Sequence, residues 1–195
     1  MKQRERIVVA ILSASVILPP AVAGGGVVEF DDKDGWLAAV GPVTTIDFTG
    51  FPQGTVIADQ YADLGVHFVD GNDRYFSTPS FVNDNWGVDG NGDIILAFDT
   101  PQAYIGADFP GFLRIELFSE GQSIYLSSLF FGDPVGNFAG LASDHLFDMA
   151  VLMDDPSSDE AHIDDLHFGV PAPATLALLG LAALAPRRRR LLRAS

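Results

Sequence analysis

The sequence predicts an all-β domain: an antiparallel two-sheet β-sandwich, jelly-roll-like, with one short helix near its amino terminus. Three observations support this prediction. Several short segments alternate apolar and polar residues with the period of two that half-buried strands require. Clusters of Gly, Pro, Asn and Asp separate these segments at intervals of roughly 10–20 residues. A helical period is sustained in one short segment, so strands must supply the core.

The first predicted elements are the strand Val27–Phe30 and the helix Asp34–Val40. An aspartate caps the helix, because its carboxylate accepts hydrogen bonds from free backbone N–H groups, and a Gly-Pro pair ends it. Trp36, Leu37 and Val40 are expected on its apolar face. The remaining predicted strands are Thr44–Phe48, Gly65–Val69, Ile94–Phe98, Ala103–Phe109, Leu113–Phe118, Ser123–Phe130, Leu146–Met153 and Ala161–Phe168.

The charge is concentrated in one part of the chain. Of 11 basic residues eight lie in the two terminal segments, whereas only one of 26 acidic residues does. The middle therefore carries 25 acidic against three basic residues, a net charge of −22. Such a surface repels nucleic acid and anionic lipid, which excludes nucleic-acid-binding functions, and favours cations. The absence of cysteine excludes thiol nucleophiles and cysteine-ligated zinc.

Residues 1–23 have the features of a secretory signal peptide: basic residues, the apolar run Ile7–Leu18, and the small residues Ala21-Val22-Ala23. We expect signal peptidase to cleave after Ala23. Residues 24–169 would then form the β-sandwich ectodomain. An uncleaved membrane anchor is the alternative, but the apolar run is short for a membrane span.

Residues 170–195 combine a proline-rich hinge, an apolar run and an arginine cluster. This order resembles the PEP-CTERM sorting signal. The matching positions are Val170, Pro171, Pro173, Ala174 and Thr175, followed by Arg187, Arg188, Arg189 and Arg190, while Ala172 replaces the usual glutamate. The resemblance implies transient insertion of the tail into the inner membrane, cleavage by an exosortase-type enzyme, and location at the cell surface or in an extracellular polysaccharide matrix. A plain tail anchor is the alternative.

The domain itself resembles the β-sandwich ectodomains that often precede such tails. The matching motifs are the short helix, Asp47-Phe48-Thr49-Gly50, Leu64-Gly65-Val66-His67-Phe68 and the closing strand Ile163–Phe168. These residues are mostly structural, so the resemblance implies the fold and no particular activity.

Motifs for catalysis are missing from the sequence. Ser143-Asp144-His145 has the residue types of a nucleophilic triad, but adjacent residues cannot form that relay, and no G-x-S-x-G motif is present. There is no H-E-x-x-H zinc motif. His162 and His167 flank an aspartate pair and could approach a metal; a polar outer strand face is the alternative.

Two acidic groups are candidates for calcium binding. The candidate ligands are Asp84, Asp89, Asn91 and Asp93 in a glycine-rich segment, and the pair Asp164 and Asp165. Oxygen ligands among glycines suit Ca²⁺, although Ile94 replaces the glycine that an EF-hand loop needs. The alternative is a pair of local Asn/Asp-Gly turns. In addition, Trp86 and Tyr75 lie in segments predicted to be loops, where they would either stack on sugar rings or fill the end of the sandwich.

These features favour an exported, non-enzymatic surface or matrix protein associated with extracellular polysaccharide. A calcium-assisted carbohydrate-binding module is the alternative, and a glycan-active enzyme is a third hypothesis. The odd spacing between Ile163 and Leu166 would put Ile163 on the opposite face from Leu166 and Phe168 in a regular strand. It therefore predicts a β-bulge at Asp164-Asp165 that lets all three side chains face the core.

A mass spectrum of the protein from its own host tests the predicted processing. We expect a mature chain that starts at Gly24 and ends between Val170 and Thr175, because Ala21-Val22-Ala23 and the hinge mark the two cleavage regions. An exported chain that retains the arginine cluster would contradict processing by an exosortase.

Overall fold

The computed structural model describes residues 26–69, 75–79, 86–132, 137–154 and 160–170. Within these ranges the chain forms one α-helix, α1 (Lys33–Val40), and twelve β-strands. The strands are β1 (Val27–Phe30), β2 (Thr44–Ile46), β3 (Val66–Phe68), β4 (Tyr75–Pro79), β5 (Trp86–Gly90), β6 (Ile94–Phe109), β7 (Phe112–Ser119), β8 (Gln122–Leu126), β9 (Phe130–Phe131), β10 (Asn137–Met153), β11 (Ala161–Ile163) and β12 (Leu166–Gly169).

Two long strands, β6 and β10, build both layers of the molecule. They pair antiparallel from Asn137 opposite Phe109 to Ala142 opposite Tyr104, and again from Met149 opposite Ala97 to Leu152 opposite Ile94. Between these stretches the register shifts twice, which leaves unpaired residues in both strands. Such interruptions bend strands, so each long strand passes from one layer into the other.

The remaining strands extend the two layers, and every pairing is antiparallel. Layer A has the order β2–β12–β6–β10–β1, using the carboxyl-terminal half of β6 and the amino-terminal half of β10. Layer B has the order β3–β6–β10–β7–β8, using the other halves, and a small sheet has the order β11–β5–β4. The ring centroids of Phe98 in layer B and Phe168 in layer A lie 5.2 Å apart, so both layers share one core. The predicted all-β sandwich with one short helix is therefore confirmed.

Helix α1 covers the outer face of layer A. Trp36 and Val40 pack there against Tyr104, Phe138 and Ala142 in a second hydrophobic cluster, and the Trp36 indole Nε1 donates to the Leu141 carbonyl at 3.2 Å. Both faces of layer A are thus buried. Burial is accordingly continuous over residues 102–107 of β6 but alternates over residues 94–98 in layer B.

The helix begins earlier than predicted. Asp32 is the N-cap, and its side chain accepts from the Gly35 backbone N–H at 2.7 Å, so α1 starts at Lys33 rather than Asp34. The expectation that Leu37 lies on the apolar face is wrong, because Leu37 is exposed while Trp36 and Val40 are buried.

The junction between β11 and β12 places three apolar side chains as predicted. Ile163, Leu166 and Phe168 are all in the core. The Asp108 carbonyl accepts from the Asp164 N–H at 2.8 Å, and the Asp108 N–H donates to the Asp165 carbonyl at 3.0 Å. Two residues therefore oppose one, as in the predicted bulge, but the chain also changes sheets here, because β11 pairs with β5 and β12 pairs with β2 and β6.

Glycine is required where α1 packs on layer A. A Cβ atom at Gly140 would lie 2.6 Å from Trp36 and 2.5 Å from Phe138, closer than side chains can approach without displacement. We therefore expect Gly140→Ala to destabilise the fold by about 1–3 kcal/mol, the usual effect of overpacking. Urea unfolding of the two proteins measures the difference.

A double-mutant cycle tests the cause. If the clash with the indole is responsible, Gly140→Ala should cost less free energy in a Trp36→Ala background, since neighbouring substitutions are coupled. Equal losses in both backgrounds would contradict this explanation.

Candidate functional site

The structure places the described residues of the predicted calcium site on one strand and in the turn that follows it. Asp84 lies outside the described residues. Asp89 is on β5, directly opposite His162 of β11. Asn91 lies in a tight turn in which the Gly92 N–H donates to the Gly90 carbonyl at 2.8 Å, and the Asp93 backbone carbonyl accepts from the Tyr75 hydroxyl at 3.1 Å. Asp89 thus faces His162 across a strand pair, whereas Asn91 and Asp93 belong to the turn that follows.

The aspartate pair at the β11–β12 junction also diverges. Asp164 is buried, and its carboxylate lies over Gly87, where a Cβ atom would be 2.5 Å from Oδ1. The Asp165 carboxylate instead lies 3.5 Å from the Lys33 ammonium. The two carboxylates therefore have different neighbours.

Lys33 stands at the centre of a partly buried polar group that we call the Lys33 cluster: Lys33, Asp108, Asp165 and His167. The Lys33 Nζ lies 2.5 Å from Asp108 Oδ2, and His167 Nε2 lies 3.5 Å from the same oxygen. The other ring nitrogen of His167 is 2.9 Å from the Thr45 hydroxyl. The cluster fastens α1 to β6 and to the start of β12, and its ammonium already supplies a cation to both carboxylates.

The two aspartates of the Lys33 cluster have pKa values shifted in opposite directions. Burial tends to raise the pKa of Asp108, but hydrogen bonds from His167 and Lys33, together with their charges, lower it below the usual value. Burial raises the pKa of Asp165, and the Asp108 charge adds to this, against the weaker attraction of Lys33. Asp108 is therefore the principal partner of the ammonium.

The aromatic residues considered for sugar stacking lie in strands rather than loops. Tyr75 has 0% of its surface exposed, and its hydroxyl accepts from the Ile95 N–H at 3.1 Å and donates toward the Val69 carbonyl at 3.0 Å. Its assignment as a sugar-stacking residue is therefore wrong. Trp86 is partly buried against the main core. Both belong to the small sheet, so the alternative of aromatic residues packed within the sandwich describes them better.

An open cleft of about 440 Å³ lies between the end of β1, the segment Ser128–Phe131 and the start of β10. Its lining combines aromatic side chains with polar groups. The lining residues are Glu29, Phe30, Asp31, Ser128, Leu129, Phe130, Phe131, Asn137 and Phe138. A volume of this size is within the range of small-ligand sites.

Phe131 forms an exposed aromatic wall of this cleft. It is 71% exposed and stands in register with Phe112, which is 38% exposed, on the neighbouring strand β7. Their ring centroids lie 5.5 Å apart in an edge-to-face arrangement. Phe130, the preceding residue, points to the opposite side and is buried, as alternation along a strand requires. An aromatic pair this exposed is suited to contact a ligand.

Glu29 supplies a carboxylate at the cleft wall. It accepts hydrogen bonds from the Tyr125 hydroxyl at 2.8 Å, the Ser128 N–H at 2.7 Å and the Ser128 hydroxyl. Burial tends to raise the pKa of Glu29, but these hydrogen bonds lower it below its usual value. Burial and the Glu29 carboxylate raise the pKa of Tyr125 to about 12. Glu29 therefore ties β1 of layer A to the chain that leaves β8 of layer B.

Sequence reasoning missed this cleft, although one signal was present. Leu129-Phe130-Phe131 places two adjacent aromatic residues in a segment of β chain, so one of them must face solvent. Glu29 and Asn137 carry no such signal, because their position depends on pairings between strands far apart in sequence.

The carboxyl-terminal sorting motif lies almost entirely outside the described residues. Val170, its first residue, is exposed at the end of the described chain. A search of the described residues for a helix long and apolar enough to cross a membrane finds none.

No family model matches the chain, and no curated protein matches it. Among solved structures, the chain is similar to a mutant of CBM29-2, a family 29 carbohydrate-binding module, with 13% identity over 67% of this chain and 94% of that chain, and a TM-score of 0.44. Another CBM29-2 mutant, complexed with cellulohexaose, shares 12% identity over 66% and 93%, with a TM-score of 0.41. The family 32 module from C. perfringens NanJ, in complex with galactose, shares 11% identity over 65% and 91%, with a TM-score of 0.32. All three TM-scores lie below 0.5, so these similarities establish neither a family nor a ligand.

Removing the ammonium of the Lys33 cluster should destabilise the protein. We expect Lys33→Met to cost about 1–3 kcal/mol near pH 7, because it leaves buried carboxylates without their donor. The loss should shrink when the pH is lowered to about 3, below the ordinary aspartate pKa of about 3.9. The sign follows from the lowered pKa of Asp108, whose stabilising effect is present above the ordinary aspartate pKa and is lost as pH falls through the folded value.

Urea unfolding at the two pH values measures both effects. Lys33→Arg is the matched control, because it keeps the charge and should retain most of the stability. A loss in Lys33→Met that is the same at both pH values would show that the ion pairs are not its cause.

Proposed function

We propose that this protein is an exported, non-enzymatic β-sandwich that binds carbohydrate in the cleft beside Phe131. The observation that carries the proposal is one open cleft that combines the exposed ring of Phe131, which packs against the exposed Phe112 beside the cleft, with polar groups. The C–H faces of a sugar ring pack on aromatic rings, while its hydroxyls need hydrogen-bonding partners around the rim.

The polar groups of the cleft suit sugar hydroxyls. The ionised Glu29 carboxylate and the exposed Asp31 are acceptors for hydroxyl donors. The side-chain amide nitrogen of Asn137 is buried and has no hydrogen-bond partner among the described residues, so a rotation of this side chain into the cleft would bring a donor to a bound hydroxyl. Donors and acceptors are thus available beside the aromatic wall.

The lowered pKa of Glu29 favours binding over glycoside hydrolysis. A glycosidase needs one carboxyl group with a raised pKa, so that it can protonate the leaving oxygen. Glu29 has the opposite shift and spends its oxygens on Ser128 and Tyr125. Within the cleft it is therefore suited to accept hydrogen bonds rather than to donate a proton.

The location that we propose rests on the terminal segments of the sequence. A signal peptide over residues 1–23 and a tail that resembles the PEP-CTERM signal over residues 170–195 support export, exosortase processing and placement at the cell surface or in the extracellular matrix. Extracellular polysaccharide is then the available partner. The net charge of −22 over residues 24–169 favours neutral rather than anionic glycans.

Substitution of the exposed aromatic residue tests the proposed function. Phe131→Ala should weaken binding to neutral oligosaccharides at least tenfold, about 1.4 kcal/mol, because it removes the stacking surface. Calorimetry on the best ligand from a panel of neutral and uronic-acid glycans measures the change. Leu64→Ala is the control, since Leu64 is an exposed apolar residue outside the cleft.

Unchanged binding in Phe131→Ala would place the site elsewhere on the molecule. Hydrolysis of any bound oligosaccharide, detected by product analysis, would contradict a purely binding function.

A further inference from the structure

The small sheet carries a group of ionisable side chains that do not line the cleft. His162 on β11 stands directly opposite Asp89 on β5. Glu160 precedes His162 by two residues, and residues two apart in an extended chain project from the same face. Two carboxylates and one imidazole are therefore brought together by strand register.

The three side chains lie close to one another. His162 Nδ1 lies 3.4 Å from Asp89 Oδ1, and Nε2, the other ring nitrogen, lies 3.9 Å from Glu160 Oε2. An imidazole binds an ion through one nitrogen, so a single site needs one ligand atom from each side chain. One ligand atom from each of the three side chains lies within 4.8 Å of the other two. Zinc with bonds of about 2.0–2.2 Å in a tetrahedron holds its ligand atoms about 3.3–3.6 Å apart. Side-chain rotation must bring the ligand atoms closer for an ion to bind.

We propose that Asp89, Glu160 and His162 form a binding site for a first-row transition-metal ion, with zinc as the representative ion. Imidazole and carboxylate together are donors for such ions, whereas calcium takes oxygen ligands. The site therefore includes one residue of the predicted calcium site, Asp89, but selects a different class of metal. The His162 side chain is 23% exposed, so an ion can enter from solvent and keep a water ligand.

Other histidines of the described chain provide an internal comparison. Asp59 and Asp99 lie 2.9 Å and 3.1 Å from the two ring nitrogens of His67, but no choice of one ligand atom from each of these side chains brings all three within 4.8 Å of one another. Asp108, Asp165 and His167 do meet it, but the Lys33 ammonium lies 2.5 Å from Asp108 and 3.5 Å from Asp165. A metal ion there would have to compete with a cation that the protein already provides.

A metal at this site would link β11 to β5 and so stabilise the small sheet. Because the folded strands create the site, binding of the ion and folding are coupled, and the melting temperature should rise with the ion's concentration. This effect does not depend on carbohydrate binding in the cleft.

Metal titration of the full-length protein, purified without a histidine tag, tests the site. We expect calorimetry with zinc chloride to show one ion per chain, and zinc to raise the melting temperature more than calcium or magnesium at equal ionic strength. His162→Asn should weaken zinc binding at least tenfold, whereas His67→Asn should leave it unchanged. Should His162→Asn fail to fold, Asp89→Asn provides the same test, and it should also weaken zinc binding.

Several results would overturn the proposal. They are no zinc binding by the folded wild-type chain, zinc binding that His67→Asn weakens as much as His162→Asn, or a larger stabilisation by calcium than by zinc. Cobalt substitution gives an independent readout, because the visible absorption of bound cobalt should be lost in the folded His162 or Asp89 variant. A cobalt spectrum unchanged by either substitution would equally overturn it.

Discussion

The architecture depends on the interruption that β6 and β10 share. If these strands were straight, they would form one flat sheet with an exposed apolar face. Because their registers shift between Ala142 and Met149, each strand contributes to both layers, and the two layers can enclose one core. The exposed residues of both strands, 99–101 and 144–146, lie where the layers meet. Everything else in the fold extends or seals this bent pair.

Side-chain contacts join layers A and B at the edge formed by β1 and β8. Glu29 of β1 in layer A binds Tyr125 and Ser128 from the chain of layer B, which joins the layers where no strand pairing does. On the outer face, the Lys33 cluster fastens α1 to the strands beneath it. In a domain with 25 acidic residues and three basic ones, carboxylates must be satisfied mainly by neutral donors, and Glu29 shows how hydroxyl and amide groups achieve this.

The alternation of apolar and polar residues predicted the fold class and most strands. It is visible in layer B because a strand buried on one face only needs an apolar residue at every second position. The same rule failed for the first half of β10, since Phe138–Ser143 is buried on both faces and shows no alternation. It failed for β4 and β5 because proline, glycine and aspartate, normally turn residues, occupy edge and central positions of a small sheet.

The candidate sites were harder to predict than the fold. Asp89 was identified from the sequence as a metal ligand, but its partners were taken from its own segment. The structure instead supplies His162 and Glu160 across the strand pair, and strand register between distant segments is not readable from composition. The spacing of Asp89, Asn91 and Asp93 along the chain therefore predicted a calcium loop with oxygen ligands only. The strand pairing instead places the His162 imidazole opposite Asp89.

Glu29 is a poor residue for testing the proposed binding function by mutation, because it has two roles. Its carboxylate lines the cleft and also joins the two layers, so replacing it would alter ligand binding and the fold together. Phe131 has no such role, because most of its ring is exposed and its main ring partner is another exposed phenylalanine. The same reasoning favours His162 over His167, which is buried within the Lys33 cluster. Residues that contact ligand but contribute little to packing are the ones whose substitution separates a binding function from stability.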